Sequence, residues 1–178
     1  LDVLLPALEK DTGIAVKVIA KGTGAAIRDG IDGNVDIIFV HDRAREDAFV
    51  ADGFGTKRYA VMHNDFIIAG TAGDKAKIKG TAEGADALKK IANTKATFIS
   101  RGDDSGTHKK ESAIWKEAGI KAEGAWYQQS GQGMGATLLM ASEKQGYTLT
   151  DRATYLAQKA NVKLDILSEG DKSLLNIY

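Results

Sequence analysis

The sequence predicts an α/β protein with largely parallel sheets, and three observations predict it. Helix-period and strand-period segments alternate from one end of the chain to the other, as they do in repeated strand–helix–strand units. The run at residues 35–40 is almost continuously apolar, which suits a strand buried on both faces. Glycines recur where the helical patterns stop, at Gly13, Gly53 and Gly119, as expected of residues just past a helix end.

Taken in order, residues 1–11 read as an amphipathic helix with Leu4, Leu5 and Leu8 on one face, closed by Gly13. Residues 14–20 set Ile14, Val16 and Val18 against Lys17 and read as a strand. A short helix is expected at 25–30, a buried parallel strand at 35–40 and a helix at 43–52. Two extended stretches, 58–62 and 65–69, flank His63 and Asn64. Beyond them come a helix at 81–94, a strand at 96–100, a helix at 105–118 and an extended stretch at 126–129. The pattern ends with a helix at 135–144, a strand at 147–149, a helix at 151–160, a strand at 162–167 and a strand-like apolar end at 174–178.

Composition bounds the function. At 178 residues with 43% hydrophobic and 27% charged side chains, the chain buries a real core and is neither disordered nor fibrous nor a membrane span. Lys plus Arg and Asp plus Glu both number 24. No broad positive field therefore exists to bind nucleic acid or a membrane surface, and any bound anion needs a local site. The chain has no Cys, which removes disulfides, thiolate metal sites and cysteine nucleophiles together. Twenty Gly against one Pro asks for many turns, or for places where backbone approaches something closely.

The chain is long enough for one generous domain or two small lobes. No Pro-rich or Ser-rich linker divides it, so a crossing between lobes would run on ordinary strands, best near 59–69 and 147–151. That makes the first lobe discontinuous. The chain opens inside a helix and closes on an apolar strand, so truncation is expected at both ends.

The most informative feature is a recurring glycine-rich helix start. Gly22-Thr23-Gly24-Ala25-Ala26-Ile27 and Gly133-Met134-Gly135-Ala136-Thr137-Leu138 share the form G-x-G-A-x-aliphatic, and Gly102-Asp103-Asp104-Ser105-Gly106-Thr107 is a third Gly-bounded loop. Helix starts present unpaired N–H groups and partial positive charge, and glycine lets an anion come close to them. One such loop is more often a plain turn than a ligand cradle; three in one chain shift the balance toward an anion site. Ile27 and Leu138 stand where a dinucleotide fingerprint needs its third glycine, and no P-loop is present. Arg101, between a strand and the third loop, offers an anion a planar fork of donors. It is equally placed to pair with Asp103 or Asp104, and both uses are compatible.

Catalytic readings are weaker. Gly102-Asp103-Asp104-Ser105-Gly106 is superficially like a serine-protease segment but lacks triad partners. His41, His63 and His108 lie in separate elements without metal-ligand spacing. Trp115, Trp126 and Tyr127 read first as packing, and no aromatic-plus-basic stripe suggests nucleic acid.

Several segments carry a resemblance over essentially the whole chain. They are Leu1-Asp2-Val3-Leu4-Leu5-Pro6, Lys21-Gly22-Thr23-Gly24, Val35-Asp36 leading to Val40-His41, and His63-Asn64-Asp65-Phe66. The longer and more specific ones are the run from Ser100-Arg101-Gly102 through Ser105-Gly106-Thr107 to Glu111, Gly131-Gln132-Gly133-Met134-Gly135, and Tyr147 to Arg152. Through them the sequence resembles the tungstate-binding components of ABC uptake systems, within the type II periplasmic substrate-binding family.

The resemblance implies a two-lobed α/β fold with mixed, mostly parallel sheets and a ligand cleft between lobes. Residues 1–62 and 148–178 would form lobe I, lacking its first strand and C-terminal helices, and 63–147 would form lobe II. In the family a strand and a hydroxyl-rich loop precede the helix matching residues 1–11. The ligand implied is tungstate or molybdate, held without catalysis and passed to an ABC permease in the membrane by an extracytoplasmic, monomeric protein that needs no cofactor. The metal arrives as an oxyanion, so no cation site is expected. Residue by residue, the implied ligand-binding set is Thr23 and Gly24, then Arg101, Ser105, Gly106 and Thr107, with Gly133 and Gly135. The rival readings are an oxyanion-sensing regulatory domain of the same fold and a phosphoester-processing enzyme using His108 above Ser105.

Overall fold

The computed structural model describes residues 3–177, and the chain divides into two units, Leu1–Tyr59 and Ala60–Tyr178. In the first unit, α1 spans Leu4–Thr12 and ends at Gly13, whose φ of 73° turns the chain out of the helix; Leu1 and Asp2 of the expected helix lie outside the described residues. Helix α2 spans Thr23–Ile31 and α3 spans Arg43–Ala51. Asp42 caps α3 by accepting the Arg45 N–H, which satisfies one of the donors a helix start leaves unpaired. A Cβ at Gly30 would lie 3.0 Å from the Phe49 ring, so the glycine lets α2 and α3 approach. The buried Glu46 of α3 pairs with Arg58.

The strands expected at 14–20, 35–40 and 58–62 do not form. Their side chains explain part of this: Ile37 is 84% exposed and Val18 49% exposed, though Val40 is buried, so the apolar pattern is largely left unburied. A strand exists only within a hydrogen-bonded ladder, and among the described residues the first unit holds none.

The second unit is organised by β1, His63–Gly70. Its second half, from Phe66 to Ala69, is buried on both faces. Phe66 and Ile68 face a cluster with Leu88, Ile91, Phe98, Ile114 and Trp115, whereas Ile67 and Ala69 face one with Ile99, Leu138, Ala141 and Tyr155. Successive strand residues point to opposite faces, so the continuous apolar run records two buried faces. Flanking β1 are β4 (Thr148–Asp151) and β5 (Asp165–Ser168), while β6 (Leu175–Ile177) pairs with its first three residues. A second sheet joins β2 (Phe98–Ser100) and β3 (Tyr127–Gln129) in parallel. Helices α4 (Gly84–Thr94), α5 (Gly106–Glu117), α6 (Met134–Glu143) and α7 (Arg152–Gln158) fall close to the expected positions.

One expectation changes. The sheets are mixed, but not mostly parallel: β1 pairs antiparallel with β4, β5 and β6, and among the described residues only β2 with β3 is a parallel pair of named strands. Alternation of helix and strand signals reports layering, not strand direction. Strands β4, β5 and β6 all hydrogen-bond to β1.

Candidate functional site

The parallel register of β2 and β3 brings two loops together. Ser100 lies opposite Gln129 at the strands' carboxyl ends, and the ladder continues as Ser130 N–H donates to the Ser100 carbonyl and Gly131 N–H to that of Arg101, both at 2.9 Å. One loop leads into α5 and the other into α6. Two helix starts therefore open beside each other at strand ends, the place where ligands bind in α/β sheets.

In the first loop, Gly102 has a φ of 63°, and a Cβ there would sit 2.7 Å from that of Gln129. Only glycine meets both conditions without strain. The turn is held by Gly102 N–H donating to the Ser100 hydroxyl oxygen at 3.2 Å. Arg101 donates from Nη2 to Asp103 at 2.5 Å, so the aspartate aims the guanidinium. Burial works against the charged Asp103 carboxyl, but hydrogen bonds from Ser105 and Arg101 outweigh it and hold the group below its ordinary value. Arg101 Nε is buried and has no partner among the described residues. A buried donor left unpaired costs about 1–3 kcal/mol, a cost that a ligand oxygen would remove.

Ser105 is the N-cap of α5. Its Oγ donates to Asp103 at 2.6 Å and accepts the His108 N–H at 3.3 Å. Gly106 and Thr107 open the helix, where N–H groups have no intrahelical acceptor. His108 Nδ1 accepts the Asp104 N–H at 3.0 Å, so the nitrogen a general base would use on this side is spent on the loop. In the second loop, Gly133 is the N-cap of α6 with extended backbone, and a Cβ added there would meet nothing within 4 Å. Neither packing nor backbone angle demands glycine at that position. Gly135 follows inside the first turn. The Ser130 and Thr137 hydroxyls hydrogen-bond each other at 2.7 Å and fasten the loop to its helix.

Six of the eight expected residues thus sit on two adjoining loops: Arg101, Ser105, Gly106, Thr107, Gly133 and Gly135. Thr23 and Gly24 form the first turn of α2 in the other unit, with Gly22 as N-cap. Sequence reading missed Ser100, Ser130, Thr137 and the buried Glu111, which support the loops from beneath. For Ser130 and Thr137 a signal was available, since both fall within the G-Q-G-M-G neighbourhood.

A pocket of about 430 Å³ lies elsewhere in the second unit, lined by His63, Asn64, Asp65, Arg152, Ala153, Leu156 and Leu175. Its charged groups already engage one another, Arg152 donating twice to Asp65 and once to Glu169, and no expected site residue lines it. Among the described residues no His, Cys, Asp or Glu cluster is placed to hold a metal ion.

This fold, with its paired loops at strand ends, defines a periplasmic binding-protein class, and the PBP superfamily domain model matches residues 1–178. The chain belongs to that superfamily and, within it, to the family of the TupA tungstate-binding proteins. It is 53% identical over 180 residues to the tungstate-binding protein TupA of Peptoclostridium acidaminophilum, covering 100% of this chain and 63% of that one. The TupA of Campylobacter jejuni is 48% identical over 183 residues, covering 100% of this chain and 68% of the relative. Among solved structures, the tungstate-binding TupA of Desulfovibrio alaskensis superposes with a TM-score of 0.87 at 50% identity, covering 99% of this chain and 73% of that chain. The chain therefore spans under two thirds of the length of the first of these relatives.

Proposed function

We propose that this chain is the oxyanion-binding component of an ABC uptake transporter, holding tungstate, or molybdate, without catalysis. The observation that carries the reading is Arg101: its guanidinium is aimed by Asp103, its Nε is buried without a partner, and it stands where the helix starts of α5 and α6 adjoin. First-turn amides, the Ser105 and Thr107 hydroxyls and one arginine together replace the hydration of a dianion without a basic surface. Thr23 and Gly24, in the first turn of α2, belong to the proposed ligand-binding set. The protein acts outside the cytoplasmic membrane as a monomer, delivers its ion to a membrane permease and binds no nucleic acid. No described helix is long and apolar enough to cross a membrane itself.

His108 tells against the phosphoesterase reading, because its Nδ1 is occupied. Calorimetric titration with tungstate, molybdate, sulfate and phosphate tests the proposal alongside a phosphoester turnover assay. Saturable binding of tungstate at one ion per chain with no phosphate release is expected. Steady phosphoester turnover, or preference for sulfate or phosphate, would contradict it.

A further inference from the structure

Beneath the Arg101 loop lies Glu111, a carboxylate only 1% exposed on the second turn of α5. Burying a charge is costly, and an apolar residue of similar size would be easier to accommodate. Its partners show what it holds. Oε1 accepts from the Trp115 indole at 3.0 Å and the Tyr127 hydroxyl at 2.7 Å, and Oε2 accepts from the Ser100 hydroxyl at 2.7 Å. Ser100 in turn accepts the Gly102 N–H. The two residues on either side of Arg101 are thereby connected through one hydroxyl to one buried carboxylate. The same carboxylate ties together α5, β2 and β3, the elements that carry both loops.

We infer that Glu111 is a positioning residue for oxyanion binding, acting through Ser100 to fix the left-handed turn at Gly102 and so the direction of Arg101. A hydroxyl that donates to a carboxylate is polarised into a better acceptor, which strengthens the bond closing the turn. Glutamine keeps the shape of Glu111 but presents an amide N–H₂ or a neutral oxygen to Ser100, so the directed chain Gly102 to Ser100 to carboxylate is lost or weakened. Burial pushes the Glu111 carboxyl up from its ordinary value, opposed by the Ser100, Tyr127 and Trp115 hydrogen bonds. Those donors are the groups that favour its ionised form.

The inference rests on Arg101 being an oxyanion ligand, and the test separates the two. Tungstate affinity and thermal stability are measured for the full chain and for Glu111→Gln, Ser100→Ala, their double variant and Arg101→Ala. The expected result is a loss of about tenfold in affinity for each of the first two, with the double variant no weaker than about twofold beyond either, because both break one chain of bonds. Losses that multiply in the double variant, or a fall in melting temperature with unchanged affinity, overturn the positioning role. Should Glu111→Gln fail to fold, Ser100→Ala alone decides, and unchanged affinity in that variant overturns it. Unchanged affinity in Arg101→Ala overturns the parent reading instead.

Discussion

At Gly102 one backbone angle sets the geometry of the site. Its φ of 63° and the 2.7 Å approach to Gln129 mean that alanine there meets both strain and a clash. Gly102→Ala is expected to cost about 1–3 kcal/mol in chemical denaturation and to weaken tungstate binding, because Arg101 turns with it. Gly131, at a φ of 65° with open space around it, makes the control: Gly131→Ala meets the strain alone and is expected to cost about 1 kcal/mol. Equal losses at the two positions would mean that the Gln129 contact is immaterial. Arg101 itself was legible in sequence, as an arginine between a strand and a Gly-bounded loop, and so was its pairing with an adjacent aspartate. Glu111 was not, because a glutamate on a helix reads as solvent-facing until three donors from β2, β3 and its own helix are seen around it.

Elements are joined in the second unit by few but strong polar links. Asp151 ends β4 and caps α7, accepting the Thr154 N–H at 2.8 Å and the Asn64 side-chain amide at 3.1 Å. Asp151→Ala removes both and is expected to lower stability by about 1–2 kcal/mol, read from denaturant midpoints; a change within experimental error would dismiss the cap. Arg152 next to it ties α7 to β1 through Asp65, whose side chain is 20% exposed. Hydrogen bonds from Arg152 hold the Asp65 carboxyl below its ordinary value despite burial. A carboxyl depressed in the folded state stabilises fully above its unfolded value of about 3.9 and loses that contribution as pH falls through the lower folded value. Asp65→Asn should therefore lower the melting temperature at pH 7 by an amount corresponding to on the order of 1–2 kcal/mol, and the gap should close toward pH 2. A gap independent of pH would show that the ion pair contributes nothing. Helix positions were legible because caps and glycine stops are local signals; strand 65–69 was legible because β1 is buried on both faces. The extended runs at 14–20 and 35–40 also carry strand patterns, one alternating and one continuously apolar, yet pattern supplies no partner, and none pairs with them among the described residues. Strand direction was illegible for the same reason, since β4, β5 and β6 return antiparallel to β1 through contacts far apart in sequence.

For the whole molecule, zero net charge and the proposed anion binding are compatible because the attraction would be local: one arginine, two adjoining helix starts and hydroxyls on short loops. With no net charge on the chain, the affinity should depend on the loops and little on ionic strength. The α/β class and the family were readable from the full length of the chain. The measurement closest to the central claim is calorimetric titration of tungstate into the full chain and into Arg101→Ala. Replacing a charge-assisted, bidentate donor should weaken binding at least tenfold, or about 1.4 kcal/mol. Unchanged affinity in a folded Arg101→Ala protein would contradict the claim and place the oxyanion elsewhere.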